Sequence, residues 1–74
     1  MTGKRSLSIR GHRTSISLED AFWSELRSLA VRRHMSLAAL IAEIDAERGA
    51  DTNLSSAIRL HVLADALARA QGNA

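Results

Sequence analysis

Hydrophobic and polar residues alternate from His12 to Leu18, with Thr14, Ile16 and Leu18 on one side and Arg13, Ser15 and Ser17 on the other. That is the period of a half-buried strand. At Glu19 the period changes. Phe22, Leu26, Leu29, Ala30 and Arg33 fall on one helical stripe with Trp23 at its edge, which predicts a first helix over about Glu19 to Arg33. Ser17 and Asp20 are spaced as a capping box, and the acids Glu19 and Asp20 suit the positive end of the helix dipole. Beyond the short link Met35-Ser36, the residues Leu37, Leu40, Ile41 and Ile44 repeat at i, i+3, i+4 and i+7. They predict a second helix from Leu37 to about Arg48, capped by Ser36 and closed by Gly49. Asn53 or Ser55 caps a third helix reaching about Ala70. Its broad apolar side holds Leu54, Ala57, Ile58, His61, Val62 and Leu63, and Leu60, Ala64, Leu67 and Ala68 widen it. So broad a surface should pack against something.

Ahead of the strand, Leu7 and Ile9 alternate with Ser8 and Arg10. Here the apolar positions are odd-numbered, whereas from Thr14 onward they are even-numbered. A continuous strand cannot keep both sets on one face, and Gly11 between them is the natural place for a bulge or turn. Residues 1–11 are therefore read as a basic arm, either a bulged continuation of the strand or, in the favoured reading, a separate segment folding over the body. The chain is then a single domain: the arm, a strand–helix–helix core over 12–48 and an additional helix over 53–70. In this reading the strand has no good mate within the chain. It is expected to pair with a second copy in an intertwined homodimer, as half of an intermolecular ribbon.

Size and composition point the same way. A core of Leu, Ile and Ala from 74 residues, without cysteine or proline, is marginal alone, and association is the remaining source of buried area. The expected dimer core is Ile16, Leu18, Phe22, Leu26, Leu40, Ile41 and Ile44. No apolar run approaches the roughly 20 residues of a membrane span. Residues 1–10 lack the apolar centre of a signal peptide, so cytoplasmic residence is the default. The net charge of +2 hides an asymmetry. Lys4, Arg5, Arg10 and Arg13, with His12, precede any acid, whereas the chain from Glu19 onward carries six Arg and eight acids. A basic segment on a near-neutral body suits a polyanionic partner.

Candidate chemistry is sparse. His12, His34 and His61 lie on different elements. His61 and Asp65 share a helix face without a third ligand, so no metal is expected. Gly11 and Gly49 stand alone and make no phosphate loop. Ser36 follows His34 without an orienting third group, so no enzyme site and no cofactor are expected. The strand's polar face is more informative. A two-stranded ribbon fits the major groove of B-form DNA, where Arg bridges guanine O6 and N7 and Ser reaches several base edges.

The order strand, helix, short Ser-capped turn, helix resembles the ribbon-helix-helix DNA-binding superfamily of the Arc and methionine repressors, which read DNA with a β-ribbon. The segments KRSLSIRGHRTSISLEDAFWSELRSLA, LAALIAEIDAERG and NLSSAIRLHVL resemble short bacterial proteins with such a domain plus a third helix. The resemblance spans about Lys4 to Leu67. It implies a homodimeric, nucleoid-associated transcriptional regulator, a repressor in type. Base reading is implied for Arg13, Ser15 and Ser17. Lys4, Arg5, Arg10 and His12 would add phosphate contacts, and the amides around Ser36 and Leu37 would clamp a backbone phosphate. The chain departs from the superfamily pattern in three ways: Glu19 stands where a proline usually opens the first helix, Ala38 replaces a hydroxyl residue, and the strand's serines are short readers. The alternative implied function is a protein-interaction module, such as an antitoxin binding its partner through Asn53 to Ala70.

Overall fold

The computed structural model describes residues 2–9 and 11–72. Five elements follow one another: β1 (Thr2–Ile9), β2 (His12–Glu19), α1 (Asp20–Arg32), α2 (Leu37–Glu47) and α3 (Leu54–Gly72). The fold is mainly helical, with one antiparallel two-stranded ribbon at its amino end.

The ribbon corrects the sequence reading. β2 does not wait for a second copy: its mate is β1, paired along its whole length from Thr2 opposite Glu19 to Ile9 opposite His12. The expected arm is thus a strand, and there are two strands rather than one. Two residues separate Ile9 from His12, and one of them, Gly11, has a φ of 80°. Tight hairpin turns need such left-handed backbone, which glycine adopts without steric cost. The change of parity at Gly11 has the same origin. Every pair in this register joins an odd-numbered to an even-numbered residue. Leu7 and Ile9 therefore share one face with Thr14, Ile16 and Leu18, and that face covers the helices.

The core is closed within one chain. Ile9, Ile16 and Leu18 from the ribbon are buried with Trp23, Leu26, Leu29 and Ala30 from α1, Leu40, Ile41 and Ile44 from α2, and Ile58 and Val62 from α3. Six of the seven residues expected to fill a dimer core, Ile16, Leu18, Leu26, Leu40, Ile41 and Ile44, are buried within the chain. Phe22 is only partly buried, at the margin. Trp23 takes the centre instead, 1% exposed. The reason is β1: the Trp23 indole N–H donates to the Gly3 carbonyl at 2.9 Å, and the Arg5 guanidinium lies 5.2 Å from the ring centroid. A Cβ at Gly3 would sit 3.2 Å from Asp20 Oδ1 and 3.6 Å from the indole, so glycine lets the strand lie this close to α1. Among the described residues no buried polar side-chain atom lacks a partner.

The helix ends follow local chemistry, with two corrections. Glu19 is the N-cap of α1 and makes no side-chain cap bond, so the expected Ser17–Asp20 capping box is absent; Ser17 lies within β2, where extended backbone holds it out of the first turn. Gly49 does not close α2. Arg48 does, in extended backbone, with its N–H on the Ile44 carbonyl. Its side chain donates to Asp45 and to the Thr52 carbonyl, fastening the loop that precedes α3 to the end of α2. The other caps are as expected: Ser36 Oγ accepts from the Ala39 amide at 3.1 Å, and Asn53 Oδ1 accepts from the Ser56 amide at 2.8 Å. Between α1 and α2, His34 has a φ of 56°. The His34 N–H bonds the Val31 carbonyl and the Met35 N–H the Ala30 carbonyl. This is a Schellman termination with histidine where glycine is usual.

Candidate nucleic-acid interface

The ribbon has a second face, turned away from the core. Its cross-strand pairs are Lys4 with Ser17, Ser6 with Ser15, and Ser8 with Arg13. All six are polar; five are exposed and Ser17 is half-buried. At the centre, the Ser6 and Ser15 hydroxyls lie 3.3 Å apart, and either can donate to the other. Ser17 and Arg13 lie four residues apart on one strand, so Lys4 and Arg13 are separated by about 13 Å at about 3.3 Å per residue. That is close to the rise of four base pairs, at about 3.4 Å each. The surface therefore carries a cation near each end and hydroxyls between.

The structure brings Arg13, Ser15 and Ser17 together on this face and adds three residues from β1: Lys4, Ser6 and Ser8. Sequence reasoning left Ser6 and Ser8 out. The parity change at Gly11 is the signal that finds them, because a tight hairpin reverses parity between its strands. Other candidates lie elsewhere. Arg5 belongs to the opposite face and stacks on Trp23. His12 also belongs to that face, where it lines a hollow of about 520 Å³ with Ile9, Thr14, Asp45, Arg48 and Leu54. Arg10 lies outside the described residues. Ser36 is exposed and Leu37 half-buried, at the amino end of α2. The Ser36 hydroxyl already takes the Ala39 amide, which leaves the earlier amides of that turn without a side-chain cap.

Charge pairing separates the ribbon from the body. Arg32, Arg33, Arg48, Arg59 and Arg69 each meet a carboxylate within 3.3 Å. Lys4 and Arg13 meet none among the described residues, and of the helical arginines only Arg27 shares that condition. Glu19, the acid at the ribbon's end, does not oppose them, because Arg59 of α3 holds it at 2.9 Å. The hydrogen bond from Arg59 draws the Glu19 carboxyl below its ordinary range. Asp65 is lowered too. Partial burial works against its ionised form, but the hydrogen bonds and charges of Arg69 and Arg32 together outweigh that cost. The unneutralised positive charges of Lys4 and Arg13 thus lie on the ribbon's outer face, where the field of a polyanion would act on them.

Among the described residues, no three His, Cys, Asp or Glu side chains converge as a metal site. None of the described helices is long and apolar enough to cross a membrane. In comparisons with known proteins, neither a curated protein nor a solved structure matches the chain. The sequence model of one family, described as the ribbon-helix-helix domain, matches residues 2–66. That match covers both strands, α1, α2 and most of α3. With the ribbon, the Ser-capped α2 and the order of elements in place, the chain belongs to the ribbon-helix-helix domain family.

Proposed function

We propose that this protein binds double-stranded DNA through the outer face of the β1–β2 ribbon and acts, as a homodimer, as a transcriptional regulator in the bacterial cytoplasm. The observation that carries this reading is the outer face itself: Lys4, Ser6, Ser8, Arg13, Ser15 and Ser17 form a polar strip whose two cations have no acidic partner among the described residues. Family membership supports it, since ribbon-helix-helix domains are typically DNA-binding regulators or antitoxins. A two-stranded ribbon has the dimensions of the major groove. In this reading Arg13 is the main base reader, bidentate to a guanine. The serines supply adaptable donors and acceptors, and Lys4 joins either a base edge or a phosphate. The first amides of α2, at Leu37 beside Ser36, would hold a backbone phosphate through the helix dipole.

The test is a salt titration of binding to labelled duplex, comparing wild type with Arg13→Ala, Lys4→Ala and Arg27→Ala. All three variants lose the same formal charge, but Arg27 lies on α1, off the ribbon. Loss of one phosphate contact should reduce the log–log salt slope by about 0.9. Loss of a base contact by Arg13 should cost about 1–3 kcal/mol at a specific site. If the three variants bind alike, or wild type does not bind duplex, the proposal fails.

A further inference from the structure

The two strands of the hairpin repeat one another. Residues 4–9 read KRSLSI and residues 13–18 read RTSISL, so the same order recurs nine residues on: a cation, then two serines that alternate with Leu or Ile. The register turns this repeat into a symmetry. A two-fold axis perpendicular to the sheet at the Ser6–Ser15 pair carries Lys4 onto Arg13 and Ser8 onto Ser17, so the pair Lys4–Ser17 becomes the pair Arg13–Ser8. The same axis carries Leu7 onto Ile16 and Ile9 onto Leu18 on the covered face. Packing against the helices accounts for that second match, because strand alternation turns those residues inward. It does not account for the first, since outward positions are free to hold any polar residue. Yet the outer face changes under the axis only by Lys for Arg. Neither cation meets a carboxylate among the described residues, and the two hydroxyls at the axis lie 3.3 Å apart.

We infer that one chain's hairpin is a complete, nearly two-fold reading unit, and that its ligand is a short, nearly palindromic duplex element read at one end by Arg13 and at the other by Lys4. This rests on the proposed binding of duplex by the ribbon, and it assigns Lys4 a base edge rather than a phosphate. Two copies of one strand, paired antiparallel, make a ribbon with an exact two-fold axis. Here a repeat within one chain supplies nearly the same surface. A reading surface with two-fold symmetry is matched by an inverted repeat in the duplex. The cations lie about 13 Å apart along the strands, or about four base-pair steps. Arg and Lys both favour guanine through O6 and N7, so the element carries a guanine near each end, on opposite strands. The ends are not equal. The guanidinium fork fits O6 and N7 together, whereas the ammonium is a point charge. The Arg13 end is thus the stricter one. The serines between them pair with donors or acceptors alike, so the centre is permissive.

The experiment is selection of bound sequences from a pool of random duplexes, with wild type, Lys4→Arg and Lys4→Ala, and thermal melting of each. Lys4 is exposed, so the three should melt alike. Wild type should select guanines on opposite strands about four steps apart, with the preference stronger at one end. Lys4→Arg should make the two ends equal. Lys4→Ala should keep one end and lose the other, binding the wild-type element about 5- to 150-fold more weakly. Equal ends already in wild type, unmoved by either substitution, overturn the inference, because they mean that two copies of β2 form the ribbon. A wild-type motif without the inverted pair of guanines overturns it as well. Failure here is distinguishable from failure of the proposed function. Salt-dependent binding that Arg13→Ala weakens, without this motif, leaves ribbon binding standing and removes the two-ended reading alone. Absence of duplex binding at low salt removes both.

Discussion

Replacing Trp23 with phenylalanine tests what holds β1 in place. The substitution removes the indole N–H that donates to the Gly3 carbonyl at 2.9 Å. A net loss of about 1 kcal/mol is ordinary for such a bond when its acceptor stays partly buried. It also removes part of a ring that is 1% exposed. Full truncation of a buried Trp or Phe costs about 3–5 kcal/mol, so the smaller change should cost about 1–2 kcal/mol in packing. The Arg5 contact at 5.2 Å survives on a phenyl ring in weakened form and adds a few tenths. The sum is about 2–3 kcal/mol, against a total of about 4–11 kcal/mol for a chain of this size. Urea unfolding followed by circular dichroism measures it, since the variant lacks the only tryptophan. The loss should be local first. A two-stranded hairpin is marginal without packing, so β1 amides should exchange with solvent faster than those of α2. A cost under about 0.5 kcal/mol, with β1 protection unchanged, would refute the view that Trp23 latches the ribbon to the helices.

Three further outcomes follow from the same packing. His34→Gly should stabilise by about 0.5–1 kcal/mol, because a non-glycine residue in left-handed backbone carries a steric cost that glycine lacks; a rise of a few degrees in Tm checks it. Ser36→Ala should cost about 1 kcal/mol by removing the cap on the Ala39 amide, and unfolding of the variant reads it directly. Glu19 and Asp65 are both held below their ordinary ranges by arginine. Their contribution to stability is therefore complete above the unfolded carboxyl values of about 4 and is lost as pH falls through the lower folded values. Tm should accordingly drop below about pH 4, and less steeply in Arg59→Gln; a wild-type Tm indifferent to pH there would contradict these pairings.

Most of the helical architecture was legible from periodicity. The i, i+3, i+4, i+7 repeat of Leu37, Leu40, Ile41 and Ile44 and the caps at Ser36 and Asn53 place α2 and α3, because these signals are local. The ribbon was harder. Leu7 and Ile9 read as a separate segment because their parity opposes that of Ile16 and Leu18, and only pairing through a tight turn at Gly11 turns that conflict into a single face. The central position of Trp23 over Phe22 had no local signal, since it depends on a strand twenty residues away. Within the candidate interface, Arg13, Ser15 and Ser17 follow from alternation alone. Lys4, Ser6 and Ser8 join them only once the register is known. The pairing of Arg59, Asp65 and Arg69 of α3 with the ribbon's end and α1 is likewise tertiary.

In the proposed function, one chain's own hairpin presents the surface that meets DNA. Titrating isotope-labelled protein with short duplex and following its amide resonances tests this most directly. Shifts should concentrate on Lys4, Ser6, Ser8, Arg13, Ser15 and Ser17, with a further set at Leu37 and Ala38. Shifts confined to the helices, with the ribbon's outer face unmoved, would contradict it.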